Sequence, residues 1–309
     1  MIVTLTPNPS LDLLFETEQL VWDDANRLAD PRWRAGGQGI NVARAVRELG
    51  GDAVALALLG GRTGAELHDM LAAEGTPLRS ERVAGETRTF AAVRETATGR
   101  SLLLNARGPA RSRADAAALL ELVERSLREL RPAWLACCGS LPAGFAPDFY
   151  LRAAELARSF GAAVVVDCDG APLRAAAAQC GLLVPNRHEA ERLSGVAITG
   201  MSGARDAAMR MIELGARRAA ITLGEAGALL ATADCVWLAR APAMQAGSAV
   251  GAGDAFLAAL LLAHQLPEEE SLRRAVAAGS AALLSRGTDL IRREDADRLM
   301  VGIEVERVA

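Results

Sequence analysis

The chain has 309 residues and a mass of 32.3 kDa, enough to bury the core of one large domain or two modest ones. A hydrophobic fraction of 51% and a charged fraction of 23% exclude a disordered protein. The net charge of −4 gives no basic surplus for binding nucleic acid or an anionic membrane. All 34 basic residues are arginines, which excludes a Walker-A phosphate loop and a Schiff-base lysine.

The remaining composition bears on metal sites and location. Three histidines and five scattered cysteines do not have the spacing of a zinc site, and the odd cysteine count is typical of reduced thiols. The longest apolar run, residues 255–263, is too short to span a bilayer. The first ten residues lack the basic and apolar regions of a signal peptide. We therefore expect a cytoplasmic protein without membrane or nucleic-acid partners.

Short apolar runs alternate with longer helical patterns along the chain. The predicted buried strands are residues 2–5, 53–59, 133–137, 162–166, 182–184 and 219–223. The clearest helical patterns cover residues 41–49, 113–130 and 205–214. This alternation predicts an α/β fold, with a mostly parallel sheet covered by helices on both faces. Ligands of such sheets bind at the carboxyl ends of the strands.

Two segments interrupt this alternation. Residues 11–34 mix polar and apolar side chains without a helical period. Residues 87–107 have the pattern of a hairpin with a turn at 96–99. Both segments are predicted to form a small separate sheet that covers the main one. The sequence has no internal repeat or linker, so we expect a single domain over residues 1–309.

The most specific motif is Gly251-Ala252-Gly253-Asp254, which precedes an apolar helical segment. Small residues at a helix N-terminus let main-chain amides converge on an anion, as phosphoryl transfer requires. Asp254, in the first turn, could accept a proton from a substrate hydroxyl. An ordinary helix start with an aspartate near the cap explains the same four residues equally well.

A second glycine-rich stretch is Gly36-Gly37-Gln38-Gly39, followed by a helix that includes Asn41. Its glycines would let the backbone approach a polyol, and the Asn41 amide can both donate to and accept from hydroxyl groups. A tight turn with Asn41 capping the helix is the simpler interpretation of this stretch alone. The third glycine of a dinucleotide fingerprint is missing.

Asn186 and Glu189 follow the predicted strand at 182–184 and lie three residues apart at the start of a helix. Their oxygen atoms suit Mg²⁺, directly or through water. The same spacing is that of a capping box, with Asn186 as the N-cap, and the pattern alone favours this interpretation.

Taken in order, these motifs resemble the PfkB, or ribokinase-like, family of carbohydrate kinases. The resemblance covers the whole chain, and its segments are residues 6–12, 36–51, 86–90, 138–144, 184–189, 222–228, 250–256 and 277–288. The first of them, with the Asn26-Arg27 and Thr87-Arg88 pairs, is similar to the branch that phosphorylates phosphosugars. That branch includes 1-phosphofructokinase, tagatose-6-phosphate kinase and the minor 6-phosphofructokinase.

The resemblance implies a Rossmann-like core with a β-sheet lid, formed here by residues 11–34 and 87–107, and a homodimer through the lids. It also implies ATP and Mg²⁺ and a role for each matching residue. The implied catalytic base is Asp254, and the implied anion hole is formed by the amides of Gly251, Ala252 and Gly253. The implied sugar ligands are Asp12, Gly37, Gly39 and Asn41, with Ser140 near the substrate. The implied metal residues are Asn186 and Glu189, and Asn186 also lies at the nucleotide. Further implied nucleotide contacts are Thr222, Gly224 and Gly227, with the helix at 277–285 against adenine.

A substrate that already carries phosphate needs fixed positive charge. Arg27 and Arg88 are the candidates, because guanidinium groups bind phosphate oxygens in pairs, and Arg107 is a weaker one. An arginine outside such motifs is normally a solvated surface charge.

Three positions depart from the family pattern. Gln38 stands where many phosphosugar kinases have lysine, Val184 replaces a frequent lysine and Ala249 replaces a frequent threonine.

From the resemblance, we expect transfer of phosphate from Mg·ATP to a primary hydroxyl of fructose 1-phosphate, fructose 6-phosphate or tagatose 6-phosphate. Two alternatives remain open: a ribokinase-branch kinase of an unphosphorylated sugar or nucleoside, and a non-catalytic sugar-phosphate sensor.

Overall fold

The computed structural model describes residues 1–243, 251–284 and 291–308. Its strands are β1 (Ile2–Thr6), β2 (Ser10–Thr17), β3 (Arg32–Gly36), β4 (Ala53–Gly60), β5 (Leu78–Val83), β6 (Arg88–Glu95), β7 (Ser101–Asn105), β8 (Trp134–Cys138), β9 (Ala163–Asp167), β10 (Leu182–Leu183), β11 (Ala219–Thr222), β12 (Ala228–Ala231), β13 (Val236–Ala239) and β14 (Val305–Arg307). Its α-helices are α1 (Gln38–Glu48), α2 (Gly61–Ala73), α3 (Arg113–Leu130), α4 (Phe149–Ser159), α5 (Ala171–Ala176), α6 (Arg187–Ser194), α7 (Met201–Glu213), α8 (Ala252–Leu262), α9 (Glu268–Ala282) and α10 (Arg293–Met300).

The main sheet, which has ten strands in the described part of the chain, has the order β14-β13-β12-β11-β10-β9-β8-β1-β4-β5. The strands from β11 to β5 in this order run parallel, and β12, β13 and β14 add an antiparallel edge. All six strands predicted from apolar runs are present, and the predicted α/β class is confirmed. The sequence analysis did not identify β5 or the antiparallel edge strands.

The core lies on both faces of this sheet because alternate side chains of each strand point in opposite directions. In β4, Ala55 and Ala57 pack on the face covered by α1 and α8, whereas Leu56 and Leu58 pack on the face covered by α3 and α4. Every residue of β4 is buried. This explains why the strands appear in the sequence as continuous apolar runs rather than as alternating patterns.

A second sheet, of four strands in the described chain, has the order β3-β2-β6-β7 and is called the small sheet below. Its central strands β2 and β6 are parallel, and β3 and β7 pair antiparallel with them at the two edges. The β6–β7 pair is the hairpin predicted at 87–107. The small sheet therefore forms from the two segments that interrupt the strand–helix alternation.

The small sheet faces the carboxyl end of the main sheet, where β1 leads into β2 and β3 leads into α1. No helix in the described ranges is long and apolar enough to cross a membrane. A cleft lies between the small sheet and the N-terminal parts of α1 and α8.

Candidate active site

The cleft has a volume of about 310 Å³ and lies between the small sheet, α1 and α8. Its lining includes seven of the residues predicted from the sequence: Asp12, Gly37, Asn41, Arg88, Gly251, Gly253 and Asp254. Other residues that line it are Ser10, Arg34, Gln38, Phe90 and Asn105. Segments far apart in the chain thus meet in one polar cavity.

Asp254 lies in the first turn of α8 and is 6% exposed. The Asn41 side-chain amide donates a hydrogen bond from Nδ2 to Asp254 Oδ2 at 2.8 Å. Burial raises the pKa of Asp254 to about 6, and the hydrogen bond from Asn41 and the positive charge of Arg34 oppose that rise. A carboxylate with this pKa is largely ionised at neutral pH and is a stronger base than an exposed aspartate.

The main chain before Asp254 forms an open helix N-terminus. Gly251 is the N-cap of α8, with a φ of 89°, a left-handed conformation that favours glycine. The first amides of a helix have no intrahelical acceptor. No side chain of the described residues caps this helix start, and a Cβ at Gly253 would meet no described atom within 4 Å. An anion at this position would be stabilised by the amides and by the helix dipole.

Asp12 is buried on β2 and is held from two sides. Ser10 Oγ donates to Asp12 Oδ1 at 2.6 Å, and Arg34 Nη2 donates to Asp12 Oδ2 at 3.1 Å. A Cβ at Gly36 would lie 2.3 Å from the Asp12 carboxylate, so only glycine permits this close approach. The carboxylate is therefore fixed at the wall of the cleft.

Arg88, at the start of β6, brings positive charge to the cleft. Its Nε donates to the Asn8 carbonyl at 3.1 Å, and its Nη1 donates to Asn105 Oδ1 and to the Ala106 carbonyl. Among the described residues, none of its hydrogen-bond acceptors is a carboxylate. Burial lowers the pKa of Arg88, and the negative charge of Asp12 opposes that change. The guanidinium is thus oriented by neutral groups and can still bind an anion.

Asn186 and Glu189 form the capping box that their spacing predicted. Glu189 Oε2 accepts from the Asn186 amide at 2.9 Å, and Asn186 Oδ1 accepts from the Glu189 amide at 3.1 Å. Burial raises the pKa of Glu189. Asp167, at the end of β9, is also buried, and its pKa is raised by burial and by the negative charges of Asp254 and Glu189. Three oxygen-bearing side chains therefore lie at the carboxyl ends of β9 and β10.

The predicted nucleotide residues lie beside the next strands. Thr222 ends β11 and forms a bridge with Asn186, and Gly224 begins an exposed single turn. A Cβ at Gly227 would lie 2.0 Å from the Ala239 carbonyl, so this glycine is needed for strand packing. Helix α9 covers the first part of the predicted adenine wall, whereas Ser285 and Ala249 lie outside the described residues.

Three of the residues predicted to bind the substrate, Gly39, Ser140 and Arg27, do not line the cleft. Gly39 is inside α1, where a Cβ would lie 2.4 Å from Thr6 Oγ1, and the structure therefore gives it a packing role. Ser140 accepts a hydrogen bond from Asn8 Nδ2 at 3.2 Å and is connected to Arg88 through Asn8. Arg27 is exposed in the connection between β2 and β3.

Sequence reasoning missed Arg34 and Asp167. Asp167 directly follows the predicted strand at 162–166, and the rule that ligands bind at carboxyl ends of strands could have identified it. Arg34 is opposite Asp12 in the register of β2 and β3. That pairing is not readable from the sequence, because the polar segment before α1 has no strand pattern.

Comparisons with known proteins place this chain in a family. The sequence profile of the pfkB family carbohydrate kinases matches residues 9–294. The chain belongs to this family. A pfkB carbohydrate kinase transfers phosphate to an alcohol group of a sugar, with ATP as the donor, and the resemblance noted in the sequence is confirmed.

Relatives of this pfkB kinase cover nearly its whole length. It is 33% identical to 1-phosphofructokinase from Bacillus subtilis, with 100% of each chain covered. It is 34% identical to the ATP-dependent 6-phosphofructokinase isozyme 2 from Escherichia coli, with 96% of this chain and 97% of the relative covered. A crystal structure of phosphofructokinase-2 from Escherichia coli in complex with substrates and products has a TM-score of 0.90, 33% identity and coverage of 97% and 98%.

Proposed function

We propose that this kinase transfers the terminal phosphoryl group of ATP to a primary hydroxyl of a fructose phosphate. Asp254 beside the open N-terminus of α8, within the same cleft as Asp12 and Arg88, is the observation that carries the proposal. The relatives named 1-phosphofructokinase and 6-phosphofructokinase isozyme 2 support a phosphorylated ketohexose as the acceptor. Tagatose 6-phosphate belongs to the same chemical class and remains an acceptor to be tested.

In this mechanism, Asp254 accepts the proton of the attacking hydroxyl as the new oxygen–phosphorus bond forms and the bond to ADP breaks. The main-chain amides of Gly251, Ala252 and Gly253 stabilise the negative charge on the transferred phosphoryl oxygens. Asn41 orients the Asp254 carboxylate through its 2.8 Å hydrogen bond. The small sheet acts as a lid that excludes water from the sugar.

The substrate phosphate is bound by Arg88, whose described hydrogen-bond acceptors are all neutral oxygens. Asp12, Gly37 and Asn41 line the cleft where the sugar hydroxyls would bind. Arg27, Gly39 and Ser140 lie outside the lining of the cleft. Binding of the substrate phosphate by Arg27, contact of Gly39 with the sugar hydroxyls and a position of Ser140 near the substrate remain proposals. Gln38 lines the cleft but brings no charge to it.

Asp167, Asn186 and Glu189 fit a Mg²⁺ ion. Magnesium prefers oxygen ligands and retained waters, and the carboxyl groups of buried Asp167 and half-buried Glu189, both with raised pKa values, would gain from a nearby cation. When bound, Mg²⁺ supplies charge neutralisation on the phosphates of ATP. The capping box holds Glu189 in place at the start of α6. Thr222, Gly224 and Gly227 are proposed to contact the nucleotide beside this position.

An assay of ADP release over a panel of sugars and sugar phosphates tests the function. We expect turnover with a fructose phosphate and little with unphosphorylated sugars or nucleosides. Asp254→Asn should lower kcat by at least ~10²-fold with a modest change in KM, because the general base is lost. Asp206→Asn, at an exposed position of α7, is the matched control and should keep normal activity.

Other outcomes would identify the alternatives. Turnover only with an unphosphorylated sugar or nucleoside would assign the chain to a ribokinase-like activity. Binding of a sugar phosphate without ADP release would indicate a sensor. Near-normal turnover of Asp254→Asn would contradict the proposed base.

The small sheet also supports a homodimer. Exposed large apolar side chains are concentrated there and in the adjoining connection: Val21, Trp22, Trp33, Leu103 and Leu104. An apolar surface of this kind is typical of an interface. We propose that two copies pair through their small sheets. Sedimentation at micromolar concentration should give a dimer, and a monomer would contradict this proposal.

A further inference from the structure

The ion pair between Asp12 and Arg34 is the feature of the cleft that the proposed reaction does not yet use. Both residues are only 4% exposed. Arg34 Nη2 donates to Asp12 Oδ2 at 3.1 Å, and the two residues are directly opposite each other in the register of β2 and β3. The arginine is therefore held at the cleft by the pairing of the small sheet as well as by its own hydrogen bond.

This buried ion pair is not expected to stabilise the fold. Burying two charges costs more than their attraction returns unless every polar atom is satisfied. Arg34 Nε is buried and has no hydrogen-bond partner in the described part of the chain. An incompletely satisfied buried charge in an active-site cleft indicates a functional reason for its presence.

The charge around Asp254 supplies such a reason. Asp12 and Asp254 line the same cleft, and the negative charge of Asp12 disfavours ionisation of Asp254. Burial and Asp12 raise the pKa of Asp254, whereas the positive charge of Arg34 lowers it. The neighbouring groups that face this carboxyl are, with their elements, Asp12 (β2), Arg34 (β3), Asn41 (α1), Arg88 (β6), Cys138 (β8) and Asp167 (β9).

We propose that Arg34 is a positioning residue of the phosphoryl transfer. Its guanidinium fixes the Asp12 carboxylate for the sugar and supplies the positive charge that lets Asp12 and Asp254 share one buried cleft. This inference rests on the proposed function, because it assumes that Asp254 is the base and that Asp12 binds the sugar. It adds a residue outside the recognised motifs, on a strand that the sequence pattern does not show.

Arg34→Gln tests the proposal through the pH dependence of kcat/KM. Without the cation, the acid limb should move to higher pH by about one unit, the lower end of the effect of a nearby opposite charge. The KM for the sugar phosphate should rise about tenfold, because Asp12 loses an ionic hydrogen bond. The KM for ATP should change little. A residue with only a structural role would lower the melting temperature and leave the acid limb in place.

Two further variants make the result specific. Arg32→Gln removes an exposed arginine from the same strand, where it pairs with Glu16 outside the cleft, and should keep the wild-type pH profile. Arg34→Lys keeps the charge but loses the guanidinium fork, so the acid limb should stay in place while the sugar KM rises. This variant also decides the question if Arg34→Gln does not fold: a displaced limb or an unchanged KM would overturn the proposal.

The outcome separates this inference from the proposed function. An Arg34→Gln enzyme with wild-type acid limb and sugar KM overturns the role of Arg34, even if Asp254→Asn is inactive. An Asp254→Asn enzyme with near-normal turnover overturns the base itself and the proposed mechanism with it.

Discussion

The sugar end of the active site is formed mainly by side chains, whereas the phosphate end is formed mainly by main-chain groups. At the sugar end, charged side chains on paired strands of the small sheet are held by hydrogen bonds, as Asp12 is by Ser10 and Arg34. At the phosphate end, the main chain dominates, with the open helix start after Gly251 and the capping box of α6. Side chains can be exchanged to suit an acceptor, whereas main-chain amides offer the same anion site to any phosphoryl group. We infer that acceptor specificity resides in the small sheet and phosphoryl transfer at the N-termini of α8 and α6.

Arg88→Gln should have the largest effect of the three variants in this comparison, and only on binding at the sugar end. Loss of charge-assisted hydrogen bonds to the substrate phosphate should raise the sugar-phosphate KM by about 10- to 100-fold, since such bonds are worth about 1.5–3 kcal/mol. The KM for ATP should stay near its wild-type value. Steady-state kinetics with each substrate varied in turn measures both constants. Arg100→Gln, in the exposed β6–β7 turn, is the matched control.

A similar increase in both KM values for Arg88→Gln would contradict the separation of sugar recognition from phosphoryl transfer. It would mean that Arg88 supports the whole cleft rather than the acceptor alone.

Asp254 lies between the two ends, and its ionised carboxylate should lower the free energy of unfolding. A folded-state pKa of about 6, against 3.8 for an ordinary aspartate, corresponds to at most about 3 kcal/mol at neutral pH. Because the pKa is raised, protonation stabilises the fold, and that stabilisation is lost as the pH rises through about 6. Asp254→Asn should therefore have the larger free energy of unfolding above pH 6, by about 1–3 kcal/mol.

Below about pH 4 the aspartate is protonated in both folded and unfolded chains, so the two proteins should become alike. Urea unfolding at pH 8 and pH 4 measures the difference. Equal stabilities at pH 8 would contradict the burial of an ionised carboxylate.

Glu189→Gln should show the smallest of these effects, and only at the phosphate end. Glutamine can replace glutamate in a capping box, so α6 should keep its start while the negative charge is lost. The Mg²⁺ concentration needed for half-maximal activity should rise about tenfold, the lower end of the effect for other residues that support a bound metal. The sugar-phosphate KM should not change. Titration of activity with Mg²⁺ at saturating ATP measures this.

Asp115→Asn changes the corresponding acidic residue in the capping box of α3 and is the control. An equal Mg²⁺ shift in both variants would show that helix capping, rather than the charge at Glu189, controls the metal requirement.

The sequence predicted the main sheet well because its parallel strands are buried on both faces and appear as apolar runs. The antiparallel strands β12 to β14 were missed, since they are short and interrupted by polar turns. Motif residues such as Asp254 and Asn41 could be named because they follow glycines at a helix start. Arg34 could not, because its position depends on a strand register that only the folded small sheet defines.

The roles of individual glycines could not be predicted from the sequence either. Gly37 and Gly39 look alike in the sequence, yet Gly37 lines the cleft and Gly39 is packed against β1. Which of two neighbouring glycines faces a ligand depends on the direction of the helix that they begin. The sequence indicates that a helix begins there, but not which way it faces.

The parallel pairing of β2 with β6 has a consequence for how the chain acquires its activity. Along the chain, β3 to β5 and the first two helices lie between β2 and β6. The contact between these two strands therefore closes a long loop. Contacts between distant parts of a chain form late during folding. The pairing of β1 with β8 in the main sheet joins residues that are still farther apart. We therefore expect both sheets, and with them the complete cleft, to form late in folding.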